Sequence, residues 1–488
     1  MKKSSLTTAV LAGLAGVVGF AGSSSAVEIN PDGTGQVLIY PYYTVNAGQQ
    51  TNISVVNSSD VAKAVKVRFL EAYNSREVLD FNLFLSPFDV WTGTVFALDD
   101  AGADSVGAAV LTRDQSCTVP DIVNNNSLPS AAGAHYVPFN NAAYQDDTGP
   151  KGIERTREGY VELIQMADIA AGSGTEAVVT HNDGVPGNCA SPLIRTTANQ
   201  DFVMPTGGLF GSGSIMNVDQ GTLYPYSADA IDGFNNTANV TPSGSMDPNL
   251  TAALTAPGEA TAYVFGAGGA VTTATYGPGY GSRTIDAVSA VFAANALMNE
   301  YESDSAAGKG TDWVVTFPTK RFYVDPAVLA SRPAPDTGKP FAPFPSAFNN
   351  GLACAQVSVD IYDREEGTPF FIPGDVFSPP PEDQPPSSLC HEVNVITISD
   401  NNSSILGAAH GLNIEPYDAS GWMKLNLDPA PGSEPHAMTP SAEGVVFGGL
   451  PATGFSAQRV INANAQPGML SNYSGAWRHR VERQITAS

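Results

Sequence analysis

Between residues 51 and 98 apolar and polar side chains alternate with a period of two, in four successive runs separated by turn chemistry. Val65, Val67 and Phe69 share one face and Lys66 and Arg68 the other. After an Asn74-Ser75 turn, Leu79, Phe81, Leu83 and Leu85 are opposed by Asp80 and Asn82. A period of two in consecutive segments predicts antiparallel strands with one buried and one wet face. On that reading Lys66 and Arg68 point to solvent and pair with acidic neighbours.

The alternation continues through most of the chain. QVLIYPYYTV (36–45) reads as a strand that Pro41 confines to a sheet edge or a strand end. AAVLTRDQSCTVP (108–120) and REGYVELIQMADI (157–169) are further strands, with a long loop over 121–157. The stretch 206–226 predicts a hairpin, because Asp219-Gln220-Gly221 supplies the glycine that a tight reversal requires. Residues 235–283 have the poorest pattern and read as an irregular linker. One helix is expected, over 285–301, with Val288, Val291, Phe292 and Met298 on its apolar stripe. Strand-like runs resume at 310–325, 353–365, 391–399, 421–427, 444–450, 456–463 and 476–485. The fold class is therefore all-β, an antiparallel β-sandwich with long loops and one packed helix. The expected division is a signal peptide over 1–26, an N-terminal sandwich domain over 27–234, the linker, and a β-rich domain over 284–488. One continuous large sandwich is the alternative.

Export is expected from the start of the chain. Lys2 and Lys3 precede an apolar run from Leu6 to Phe20, and Ser24-Ser25-Ala26 is a small-residue cleavage site. Gly13, Gly16 and Gly19 interrupt the run, which is short against the roughly 20 apolar residues of a membrane span. The formal net charge is −25, from 48 acidic against 23 basic residues. Such a surface excludes nucleic-acid binding, which needs clustered Lys and Arg. Cys117, Cys189, Cys354 and Cys390 form no CxxC motif, and an even number in an exported chain points to disulfides. Three pairings are open; Cys117–Cys189 with Cys354–Cys390 is the expected one.

No catalytic or cofactor-binding residue can be named. GGLFGSG (207–213) lacks the Lys and Ser/Thr of a phosphate loop and belongs to the hairpin. His135, His181, His391, His410, His436 and His479 show no zinc spacing, although a Ser-His-Asp triad is recognised by geometry and not by order. Asp99-Asp100 with Asp104, Asn182-Asp183, and Asp400-Asn401-Asn402 have the oxygen chemistry of calcium loops without their spacing. A structural calcium is the one cofactor left open. Tyr40, Tyr42 and Tyr43 are candidates for a sugar-stacking platform, with core packing the commoner fate. Arg478, His479, Arg480 and Arg483 make the one basic cluster, with Arg478 and Arg480 placed to meet acidic surface.

Val55-Val56-Asn57, Val67-Arg68-Phe69, and Leu85-Ser86-Pro87 before Thr92 and Thr94 resemble the strand order of an immunoglobulin-like domain of bacterial exported proteins. NSREVLDFNLFLSP, PTGGLFGSGSIMNV, GTDWVVTFPTK and LSNYSGAWRHR resemble a set of exported, surface-type proteins of Gram-negative bacteria. That resemblance brings no activity and no site residues. It implies a secreted or surface-associated structural or adhesive protein, with self-association or a surface glycan or protein as partner. The alternatives are a carbohydrate-binding protein or glycan-active enzyme, and a periplasmic accessory protein.

Overall fold

A computed structural model describes residues 26–101, 105–277, 284–330, 338–344, 346–365, 370–371, 388–416, 418–429, 435–462, 466, 469 and 471–487. Apart from Ala26, the expected signal segment lies outside them, as does Asp104. The chain is all-β, and its larger sheets are antiparallel except where Val393–Ile398 pairs parallel with Gly411–Ile414. No helix among the described residues is long and apolar enough to cross a membrane.

The four runs at 51–98 become the strands Gln50–Asn57, Lys63–Glu71, Glu77–Leu85 and Val90–Ala97. They do not form one meander. The middle two belong to a first sheet, ordered Glu28–Ile29, Asp229–Asp232, Val37–Thr44, Glu158–Ile169, Lys63–Glu71, Glu77–Leu85, Cys117–Val119. The outer two pair with each other in a second sheet that also holds the hairpin Leu209–Asn217 and Thr222–Ser227. Phe81 and Trp91 meet across the two sheets at 5.7 Å, and the Tyr40 hydroxyl donates to the Ser54 carbonyl at 2.7 Å.

The glycine-rich 207–213 stretch has a packing explanation. A Cβ on Gly211 would strike the Tyr40 hydroxyl, and one on Gly213 would strike the Tyr226 ring. Both tyrosines enter the core because those two positions lack side chains.

Two further sheets come from the second half. The third is ordered Phe370–Phe371, Ser358–Tyr362, Ser420–Asn426, Ala296–Glu302, Arg480–Glu482. The fourth is ordered Gly411–Ile414, Val393–Ile398, Lys309–Thr316, Thr453–Val460, Tyr473–Arg478. One continuous apolar cluster runs from Val27 to Ala457 and takes side chains from both halves of the chain. The Thr316 hydroxyl donates to the Pro41 carbonyl at 2.5 Å, and Tyr226 stacks on Phe455 at 4.9 Å. Both expected disulfides are present, Cys117–Cys189 and Cys354–Cys390.

Four expectations need correction. Pro41 lies inside a strand that is flanked on both sides. It is tolerated because Asp229–Asp232 pairs only as far as Ile39, and the register with Glu158–Ile169 slips between Gly159 and Val161. No ladder bond is therefore asked of its missing N–H.

Lys66 and Arg68 are not on a wet face; both are buried. The loop around Thr241–Gly244 lies over them, with Pro242 accepting from Lys66 at 2.7 Å and Gly244 donating to Asp80 at 2.8 Å. The stretch after Phe317 closes the other end, where Arg321 donates to the Ser75 carbonyl at 3.1 Å. Burial is tolerable because each cation has its anion. Lys66 meets Asp80 at 2.7 Å, and Arg68 meets Glu77 and Glu162, each at 2.7 Å.

The helix stops at Phe292, and Ala296–Glu302 is a strand. Residues from Ala296 onward find ladder partners on both sides, in Ser420–Asn426 and Arg480–Glu482, and those bonds win over an alanine-rich helical pattern. The supposed linker contains a hairpin, Ala260–Phe265 with Val271–Tyr276, against which the helix packs.

Candidate functional site

Most residues singled out from the sequence prove structural. Tyr40, Tyr42 and Tyr43 are fully buried, so they make no sugar platform. The Tyr42 hydroxyl donates to Glu158 at 2.9 Å. Ser86, His181 and Asp89 come together, with the Ser86 hydroxyl 2.8 Å from His181 Nδ1 and Asp89 3.4 Å from the same nitrogen. A relay needs the serine on one ring nitrogen and the carboxylate on the other. Asp89 also accepts from the Ser86 backbone N–H at 3.0 Å and from the Ser116 hydroxyl at 3.2 Å, so the group fastens a turn.

Asp99 pairs with Arg157 at 3.1 Å, and Asp400 accepts from the Ser305 N–H at 3.2 Å. Asp183 and Asn402 occupy positive-φ turn positions. Among the described residues no three His, Cys, Asp or Glu side chains gather as metal ligands. The basic cluster is split. Arg478 ends a strand of the fourth sheet and pairs with Asp229 at 2.5 Å, while Arg480 begins a strand of the third. His479 is the switch between them. It is buried against Trp313 at 4.8 Å, bonded to the Val314 carbonyl at 3.0 Å, and burial pushes its pKa down to about 4.

Where the two halves meet, a second group of buried ionisable residues collects. Val393 donates to the Ala72 carbonyl at 3.0 Å, which brings His391 against Tyr73 at 5.0 Å and under the exposed His410 at 4.9 Å. Among the described residues no donor closes on either carboxylate oxygen of Glu392, and the Ser75 hydroxyl beside it is engaged with Tyr160 at 3.0 Å. Burial pushes Glu392 up to about 8 against the pull of Lys320 and Arg321. Burial likewise brings Lys320 down to about 8, against the pull of Glu392. Lys320 spends its protons on the Cys390 and His391 carbonyls, at 2.7 and 3.0 Å. Perturbed carboxylates and amines mark functional sites when a cleft reaches them. Here His391, Glu392 and Lys320 are all buried, and the group belongs to the packing of the seam.

An accessible arrangement lies on the outer face of the third sheet. Its inner face sends Leu297, Tyr301, Val359, Met423 and Leu425 into the core. Strand geometry then turns the alternate residues outward in rungs about 7 Å apart. Register places Tyr362, Trp422 and Glu300 on one rung, Asp360, Lys424, Met298 and Arg480 on the next, and Ser358, Asn426, Ala296 and Glu482 on the third. Tyr362 and Trp422 stack in parallel with centroids 4.0 Å apart and planes 3° apart, and 37 % of Trp422 remains exposed. On the third rung Ala296 and Ser358 are small, so the surface sinks into a cleft of about 640 Å³.

Asn295, Asp360, Asn426, Asp428, Glu482 and Gln484 are among the cleft's lining residues. Its carboxylates are aimed by neutral donors. Asn426 donates to Asp360 at 3.0 Å, and Asp428 accepts from Asn295 at 3.1 Å and from the His436 backbone N–H at 2.9 Å. Lys424 bridges to Glu482 at 2.7 Å. An apolar ring surface next to a hollow of oriented amides and carboxylates is suited to a polyhydroxylated ligand that has one apolar face.

Sequence reasoning missed this site. GWMKLNL and QVSVDIYDRE read as strands, which puts Trp422, Lys424 and Asn426 on one face and Asp360 with Tyr362 on another. Nothing local says that the two faces are neighbours. The chain matches no protein-family model, no curated protein and no solved structure.

Proposed function

We propose that this is an exported adhesive protein that binds glycans, without catalysis, through the open face of its third sheet. The observation that carries the reading is the Tyr362–Trp422 stack on the same sheet face as a polar cleft, one rung from the cleft's rim at Asp360 and two from its floor. Sugar rings have an apolar face that packs on an aromatic ring and hydroxyls that pair with amides and carboxylates. Export is supported by the disulfides, which persist in oxidising compartments, and by the basic-apolar-small pattern of the first 26 residues.

Retention of the purified mature chain on insoluble polysaccharides tests the binding. At least one matrix should retain the protein, and Trp422→Ala with Tyr362→Ala should abolish retention while the variant still unfolds cooperatively. No release of soluble sugar is expected. Retention unaffected by the double variant would refute the assignment of this face. Protease shaving of intact producing cells tests the location, with cleavage expected at the outer surface.

A further inference from the structure

The charge of the cleft narrows the ligand. Asp360, Asp428 and Glu482 line it, and Glu300 stands beside Trp422. Lys424 is already engaged by Glu482. Arg483, although it lines the cleft, turns its guanidinium to the Ala293 and Val291 carbonyls, at 3.0 and 3.2 Å. Burial there lowers its basicity. The hydrogen bonds that aim Asp360 and Asp428 come from amides, which orient a carboxylate without cancelling its charge. The rest of the molecule adds to the field, with a formal net charge of −25.

Resting on the glycan reading above, we infer that the site selects saccharides with a free amino group, such as deacetylated hexosamine chains, over neutral and acidic ones. The aromatic pair and the cleft make the site; the carboxylates set its charge. An ammonium on the sugar ring brings the positive charge that Asp360 and Asp428 lack. Asp360, one rung from Trp422, is the carboxylate close enough for an ammonium to meet the Trp422 ring system as well. A uronic acid in the same place meets carboxylates at close range, and like charges repel there. N-acetylation replaces the ammonium with a neutral amide and removes the gain.

Titration calorimetry on the full mature chain, with three probes of equal length, tests this. The probes are a glucosamine tetramer, its fully N-acetylated counterpart and a galacturonic acid tetramer. The glucosamine tetramer should bind about tenfold more tightly than the N-acetylated one, as expected for one desolvated charge contact, and the galacturonide should not bind. Asp360→Asn should weaken binding of the glucosamine tetramer alone. Trp422→Ala leaves the charge intact and should still lower that affinity by about tenfold. Equal affinity for the first two probes, or binding of the galacturonide, overturns the inference and leaves the glycan reading standing. Undiminished binding to Trp422→Ala shows diffuse attraction to an acidic surface and also overturns it. If none of the three binds, the inference is overturned, and retention on the insoluble polysaccharides decides the glycan reading.

Discussion

The strands Lys63–Glu71 and Ser420–Asn426 alternate apolar and polar residues in the same way, and each places a lysine on its polar face, Lys66 in one and Lys424 in the other. In the first, the polar face is roofed by the Thr241–Gly244 loop and the stretch after Phe317, and every residue of the strand is buried. In the second, no such roof exists among the described residues, and Trp422 and Lys424 keep part of their surface in water. Alternation therefore reports parity, not solvent. It says which side chains share a face, while the presence of a further layer decides whether that face is wet.

The contrast fixes the size of several effects. Arg68→Ala should have the largest. Removing one member of the network leaves the buried Glu162 without its cation and the half-buried Glu77 unpaired, which costs about 3–5 kcal/mol. Urea denaturation at neutral pH measures it; a loss under 1 kcal/mol would mean that the roof opens to water.

Glu392→Gln probes the same buried region by pH. A carboxyl whose folded pKa is raised from 4.5 to about 8 gives stability that is fully present below 4.5 and lost as pH rises toward 8. The variant should lack that loss, a difference on the order of 3 kcal/mol at pH 7 for a fully buried group. Melting curves of both proteins from pH 4 to 8 should diverge steadily, and parallel curves would reject a buried neutral acid. His479 works in the opposite sense. Its folded pKa of about 4 makes its contribution complete above 6.5 and lost as pH falls from 6.5 toward 4.

Lys424→Ala belongs to the open face and should cost at most about 1 kcal/mol, because its partner Glu482 is half exposed. A cost equal to that of Arg68→Ala would erase the distinction between the two faces. Trp422→Ala should cost about 0.5–1.5 kcal/mol through its lost stack on Tyr362, and show itself mainly in ligand binding.

Much of the fold was legible locally. The four strands near 51–98, the Asp219–Gly221 reversal and the strand Glu158–Ile169 follow from period two and from turn residues. The polar roof was not legible, because a loop without pattern, such as Thr241–Gly244, does not announce what it covers. The helix was overrun for a related reason. Ala296–Glu302 gains partners 118 or more residues away in sequence, and alanine spacing carries no trace of them. The candidate site is wholly of this long-range kind. Tyr362 and Trp422 come from separate strands, and Ser358, Asn426, Ala296 and Glu482 share a rung only through pairing across four strands.

The switch at His479 has a consequence in time. Tyr473–Arg478 completes the edge of the fourth sheet, Arg480–Glu482 that of the third, and Ile485–Ala487 pairs with Val445–Phe447. A chain that emerges amino end first holds Ala296–Glu302 without one neighbour until these residues arrive. Glu482, one wall of the cleft, is among them. Closure of both sheets and of the site thus waits for residues 473–482, far in sequence from their partners, as expected of a slow, non-local β topology. Until then the third and fourth sheets each lack an edge strand.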